Sequence, residues 1–152
     1  MFKSFKIKNV FTYLTNFSFL DEKETTIISK GSLITGDIKG SNVFIDGDLI
    51  TKNLNVEHLE IGKFGNIKGD ISSKIVNITG NVLGNIIAES IVLYSSSKVV
   101  GDINCNSILI HSGAEYSGNL SYSKCIIESN SVVNGSLNMK VYMKVYIDKD
   151  RN

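Results

Sequence analysis

Among 152 residues there are two histidines and two cysteines, His58, His111, Cys105 and Cys125. Neither pair has the spacing of a metal centre. There is no CxxC, and a catalytic zinc would need three protein ligands drawn from a set that is not there. The cysteines read as two small, partly buried thiols of a reducing cytoplasm. The histidines read as solvated turn or strand-edge side chains. The more regular chemistry lies in a series of acids and amides, Asp37, Asn53, Asp70, Asn85, Asp102, Asn119 and Ser136, spaced 15 to 17 residues apart. Stacked carboxylates of this kind could form a cation ladder, but three isolated acids do not make a cage. Stacked about 5 Å apart they would repel by roughly 1 kcal/mol even in water. The alternating amides double their separation and can ladder with each other. The plainer reading is a series of turn residues whose side chains bond nearby backbone. No catalytic residue, cofactor site or metal site is expected.

Such a series needs an element that returns at the same interval. The residues just before it are Gly36, Lys52, Gly69, Gly84, Gly101, Gly118 and Gly135, with spacings of 16, 17, 15, 17, 17 and 17. Two positions after each anchor stand Ile38, Leu54, Ile71, Ile86, Ile103, Leu120 and Leu137. Two positions before stand Ile34, Ile50, Ile67, Val82, Val99, Tyr116 and Val133. Seven and nine positions after come apolar pairs with one residue between: Val43 and Ile45, Leu59 and Ile61, Val76 and Ile78, Ile91 and Leu93, Ile108 and Ile110, Cys125 and Ile127. Period-two pairs are short strands with one face inward. Between them lie mostly polar corners, such as Ser41–Asn42 and Glu57–His58, with Ile75 an exception. One period cannot bury its own apolar face, whereas stacked periods bury it on one another. The pattern therefore predicts an all-β solenoid, a single-stranded parallel β-helix of about seven coils of roughly 17 residues. At about 4.8 Å per coil the rod is roughly 30–35 Å long.

The phrases Ile34-Thr-Gly-Asp-Ile38, Ile67-Lys-Gly-Asp-Ile71 and Val99-Val-Gly-Asp-Ile103, with the paired aliphatics in register, resemble the bactofilins. The resemblance runs from about Thr25 to Leu137. It implies a right-handed, three-faced β-helix that polymerises without nucleotide, a cytoskeletal role in bacterial cell shape, and a short membrane-binding tail. It also implies a place at the inner face of the cytoplasmic membrane, with the chain itself as first partner and cell-wall-modifying or envelope proteins as others. Bactofilins commonly carry Pro in their flanks, and this chain has none.

Three regions follow: a tail at 1–24, a β-helix core at 25–138 and a terminal strand at 139–152. A β-helix leaves strand edges open at both ends, and open edges invite pairing. Expected end contacts are Ile34, Ile38, Val133, Leu137, Met139, Val141 and Met143. The terminal strand, in which Met139 to Ile147 alternates apolar with Lys and Tyr, reads either as a cap or as one more coil. Residues between the inward pairs point out, and Val92, Leu109 and Ile126 form an apolar stripe there, either a lateral or partner contact or a surface covered by a flanking segment.

The first 20 residues carry Lys3, Lys6 and Lys8 and no acid. Ile7, Val10, Phe11, Leu14 and Phe17 fall on one helical face, with Phe2 and Phe5 adding bulk. A basic, aromatic-rich amphipathic segment fits a membrane interface, and packing on the rod is its alternative. Polar residues break Val10 to Leu20 and no small-x-small cleavage site follows, so a secretory signal is not expected. No apolar run is long enough to cross a bilayer. A net charge of +1 gives no pull toward nucleic acid, and no GxxxxGK[ST] loop is present. The rival readings are a β-helix binding module, monomeric or dimeric, that uses the stripe, and a left-handed β-helix acyltransferase. The latter needs a six-residue repeat and a catalytic His at a subunit cleft.

Overall fold

A computed structural model describes residues 24–140. They form β1 (Thr25–Ile28), β2 (Leu33–Thr35), β3 (Ile38–Ile45), β4 (Asp48–Ile61), β5 (Asn66–Ile78), β6 (Asn81–Leu83) and β7 (Ile86–Leu93). These are followed by β8 (Lys98–Val100), β9 (Ile103–Ile110), β10 (Glu115–Ser117), β11 (Leu120–Tyr122), β12 (Lys124–Ile127), β13 (Val132–Asn134) and β14 (Leu137–Met139). There is no helix among them, and every pairing is parallel. The chain winds a parallel β-solenoid of about seven turns.

Columns of aliphatic side chains fill it. Ile38, Leu54, Ile71, Ile86, Ile103, Leu120 and Leu137 lie in register from coil to coil. So do Ile28, Ile45, Ile61, Ile78, Leu93, Ile110 and Ile127. Middle members of both columns are 2 % exposed or less. Tyr116 stands in a third column and is also buried. Its hydroxyl donates to the carbonyls of Gly101 (2.7 Å) and Asn119 (3.1 Å), so the phenol enters the core with its polar end satisfied.

The second coil departs from the expected count. Leu49, not Ile50, pairs with Ile34 and Ile67 and is fully buried, while Ile50 is 45 % exposed. The register shifts between Ile50 and Asn53. Thr51 takes the place that glycine holds elsewhere, directly beneath Gly69, and Lys52 is the extra residue of a bulge.

The glycine column explains its own composition. Gly101 has φ 143°, and a Cβ there would overlap the carbonyl oxygen of Gly84 one coil below. Gly36 has a similar φ of 137° but open space around its Cβ position, because it lies in the first coil. Gly36→Ala should therefore cost only backbone strain, about 1–3 kcal/mol. Gly101→Ala adds the overlap, bringing the loss to about 3–5 kcal/mol. Urea denaturation of the two variants measures the difference, and equal losses would remove the overlap from the explanation.

Candidate polymerisation ends and outer face

Four members of the acid and amide series, Asp37, Asp70, Asn85 and Asp102, cap backbone N–H groups of the next coil. The Asp70 carboxylate accepts from Asn85 N–H (3.0 Å), the Asn85 side-chain oxygen from Asp102 N–H (3.0 Å), and Asp102 from Asn119 N–H (3.1 Å). Asp37 takes three donors, Thr51 Oγ1 and the N–H groups of Lys52 and Asn53. The Asn53 and Thr51 bonds hold its carboxyl below the usual range. Only a side-chain oxygen is required, so Asp and Asn serve equally, and alternating them keeps like charges apart. Apart from Thr51 Oγ1 on Asp37, the side-chain bonds of this series are at Ser136, whose hydroxyl donates to Asn119 (2.7 Å) and accepts from Asn138 Nδ2 (3.3 Å). The amide ladder is elsewhere, unforeseen: Asn66 Nδ2 donates to Asp48 (2.9 Å) and Asn81 Nδ2 to Asn66 (2.7 Å). Among the described residues no cluster of three or more potential metal ligands occurs.

His58 and His111 do not share a site. His58 lies within β4, half-buried. His111 is stacked on Tyr94, ring centres 5.2 Å apart, and its Nδ1 lies 2.7 Å from Glu128 Oε1. Cys105 is in the core, and burial pushes its thiol up to about 11, the opposite of an activated nucleophile. Cys125 is half-buried and shifted up for the same reason.

The ends of the rod differ from its middle. Leu137 tops a column whose middle members are sealed, yet is 44 % exposed, and Ile127 is 40 % exposed on the same end. Met139 (64 %) is more open, and Val133 is half-buried. At the other end Ile34 is 38 % exposed and Ile38 half-buried. Val141 and Met143 lie outside the described residues. Backbone donors repeat the pattern: Gly84, Gly101 and Gly118 each donate N–H to the coil above, to Val100, Ser117 and Asn134. Gly135 is next in that series, and no described coil lies above it.

On the outer face, Val92, Leu109 and Ile126 are in register. Ile126 is 49 % exposed, while Val92 and Leu109 are half-buried, so the stripe is more sunken than the pattern implied. Further down the same column, Glu60 accepts from Asn77 Nδ2 (3.2 Å), and burial pushes its carboxyl from 4.5 up to about 6. A raised carboxyl favours the fold in its protonated form. That contribution is fully present below pH 4.5 and lost as pH rises through about 6. Glu60→Gln should thus stabilise the rod at pH 7.5 by about 1 kcal/mol after allowing for solvent screening, and the gain should vanish near pH 4.5. Denaturation curves at the two pH values test the sign. The membrane-tail residues Phe2 to Phe17 lie outside the described residues.

A family model described as "Bactofilin: Polymer-forming cytoskeletal" matches residues 26–121. No curated protein matches. Among solved structures, the chain is similar to the cytoskeletal bactofilin BacA, determined by solid-state NMR, with a TM-score of 0.56 and 21 % identity. The alignment covers 79 % of this chain and 100 % of that one, and it supports the solenoid fold.

Proposed function

The chain belongs to the bactofilin family of polymer-forming cytoskeletal proteins, and from that premise we propose that it assembles into filaments by end-to-end stacking of β-helices. The observation that carries this reading is the pair of unsealed ends, where apolar columns closed in the middle of the rod run out into solvent at Ile34 and at Leu137. Stacking would bury those side chains and pair the open strand edges, with no nucleotide needed. The filament would act as a scaffold at the inner face of the cytoplasmic membrane, in cell shape or envelope organisation. The charge and apolar face of residues 1–20 support that location. Each lysine contributes about 1 kcal/mol near an anionic surface, and ordering the segment offsets much of the apolar gain. One protomer should therefore bind weakly and a filament tightly, through many tails at once.

Two measurements test this. Purified protein treated with apyrase and a chelator should still form filaments in negative stain. Filaments that disappear on that treatment would refute nucleotide-independent assembly. Anionic liposomes should pellet the intact protein far better than a chain lacking residues 1–20, and equal pelleting would take the tail out of the account. A second reading, a β-helix that docks a partner along Val92, Leu109 and Ile126, rests on the exposure of Ile126. Light scattering that finds only small particles would favour it.

A further inference from the structure

The short strands β2, β6, β8 and β10, with residues 48–50 of β4 and 66–68 of β5, make one side of the rod. Leu49, Ile67 and Val82 face inward there and are sealed. The residues on either side of them face outward and form two rows in register from coil to coil. One row runs Asp48, Asn66, Asn81, Lys98 and Glu115, and the other Ile50, Lys68, Leu83 and Val100. A groove of about 590 Å³ is lined by both. Leu83 is 53 % exposed and Val100 49 %, close to Ile50. Among the described residues no other row holds three exposed aliphatic side chains, and Val92 and Leu109 on the neighbouring face are half-buried. An apolar row of this kind, rimmed by polar residues, marks a contact surface.

The order of the charges says what fits it. Asp48 stands at one end of this row and Lys98 three coils further on, with two amides between. Turn a second rod end for end and lay the same side against the first, so that Asn66 meets Asn81. Asp48 then faces Lys98 of the second copy, and Lys98 faces Asp48 in return, as a two-fold contact requires. Lys98 lies 3.8 Å from Glu115 of its own rod and has donors left for a second carboxylate. In the other row Ile50 meets Val100, and the stem of Lys68 lies over Leu83. Sliding one rod by a coil sets Asp48 against Glu115, or Lys68 against itself. Pointing both rods the same way sets Asp48 against Ile50 and Lys98 against Val100. We propose that two copies pair side by side and antiparallel through this face, in the register that joins Asp48 to Lys98. The face is about three residues wide and as long as the rod, so it covers roughly 300–350 Å² per copy, under half of the usual value of about 800 Å². Single rods should therefore pair weakly, and filaments firmly, because every rod repeats the contact. That gain rests on the end-to-end stacking proposed above, whereas the contact itself does not.

Disulfide cross-linking of the full chain at high protein concentration tests the pair. Ile50→Cys and Val100→Cys proteins, mixed in equal parts and oxidised with diamide, should give far more disulfide dimer than either protein alone. An Ile87→Cys protein, altered at a 61 % exposed position on another side, sets the yield of chance encounters. Added to the cysteine variants, Asp48→Lys or Lys98→Asp brings like charges together twice in each pair and should cut the mixed yield at least about tenfold. Carrying both changes restores opposite charges and should recover most of it. Unchanged far-UV circular dichroism checks that each variant is folded. A mixed yield no higher than that of Ile87→Cys overturns the proposal. Ile50→Cys protein that cross-links to itself as well as to Val100→Cys overturns the antiparallel register, and so does a charge exchange that recovers nothing. Pelleting the same samples keeps the two contacts apart. Filaments without the mixed cross-link reject the pair and leave the stacking, and the cross-link without filaments does the reverse.

Discussion

The Ile103→Asp chain is expected to lose its cooperative fold. Ile103 is 1 % exposed, in register between Ile86 below and Leu120 above, both fully buried. Removing the aliphatic side chain from such a site costs about 2–5 kcal/mol. A carboxylate left there with no partner adds several more, whether it stays charged or takes a proton against its ordinary preference. The sum reaches the whole stability of a domain, about 5–15 kcal/mol. Solenoid coils lean on their neighbours, so a failed middle coil separates the two halves of the rod. Far-UV circular dichroism and a thermal scan check the result. Ile103→Val, which keeps the column filled, should lose only about 1 kcal/mol. A cooperative Ile103→Asp protein with the parent spectrum would mean that position 103 does not face the core.

The register behind that expectation was legible because the columns obey two counts at once, an interval of 15 to 18 along the chain and an alternation of two within each strand. Where only one count is available, the reading slips. At the second coil Leu49 and Ile50 are both aliphatic, and no glycine marks the corner. Composition therefore cannot say which of the two faces in, and the bulge at Thr51 and Lys52 decides it. Asn42 slipped for another reason. Its type and its place next to Ser41 suggest an exposed corner, but β3 runs unbroken from Ile38 to Ile45, and the residue is buried in mid-strand. The acid and amide series was legible as turn chemistry. Its bonding to the backbone of the adjacent coil was not, because the partner lies about 15 to 17 residues away. Ile34, Ile38, Val133 and Leu137 were legible as the first or last members of their columns, whereas Ile28, which heads the column of Ile45 and is 6 % exposed, carried no such signal because its strand lies before the first repeat.

The missing neighbour at Leu137 underlies the second large effect, on assembly rather than folding. Leu137→Arg should leave the rod intact and abolish filaments. Leu137 covers Leu120 on one side and faces solvent on the other, at 44 % exposure, so an arginine can keep its stem on the column and turn its head to water. The cost to the isolated rod should be within about 1 kcal/mol. In a stacked end, water is gone, and the guanidinium lies unpaired at the centre of an apolar contact. An uncompensated buried charge of that kind costs about 3–5 kcal/mol, and each 1.4 kcal/mol is about tenfold in affinity. The critical concentration for assembly should therefore rise by about two to four orders of magnitude, with circular dichroism and the denaturation midpoint nearly unchanged. Ile34→Arg should do the same from the opposite end. Ile126→Arg, on the side of the rod, should leave filaments in place and alter only their bundling. Pelleting across a concentration series, with negative-stain images of each variant, separates these outcomes. If Leu137→Arg and Ile34→Arg both assemble at the parent concentration while Ile126→Arg does not, the filament is built through the sides of the rods. The open ends would then serve some other contact.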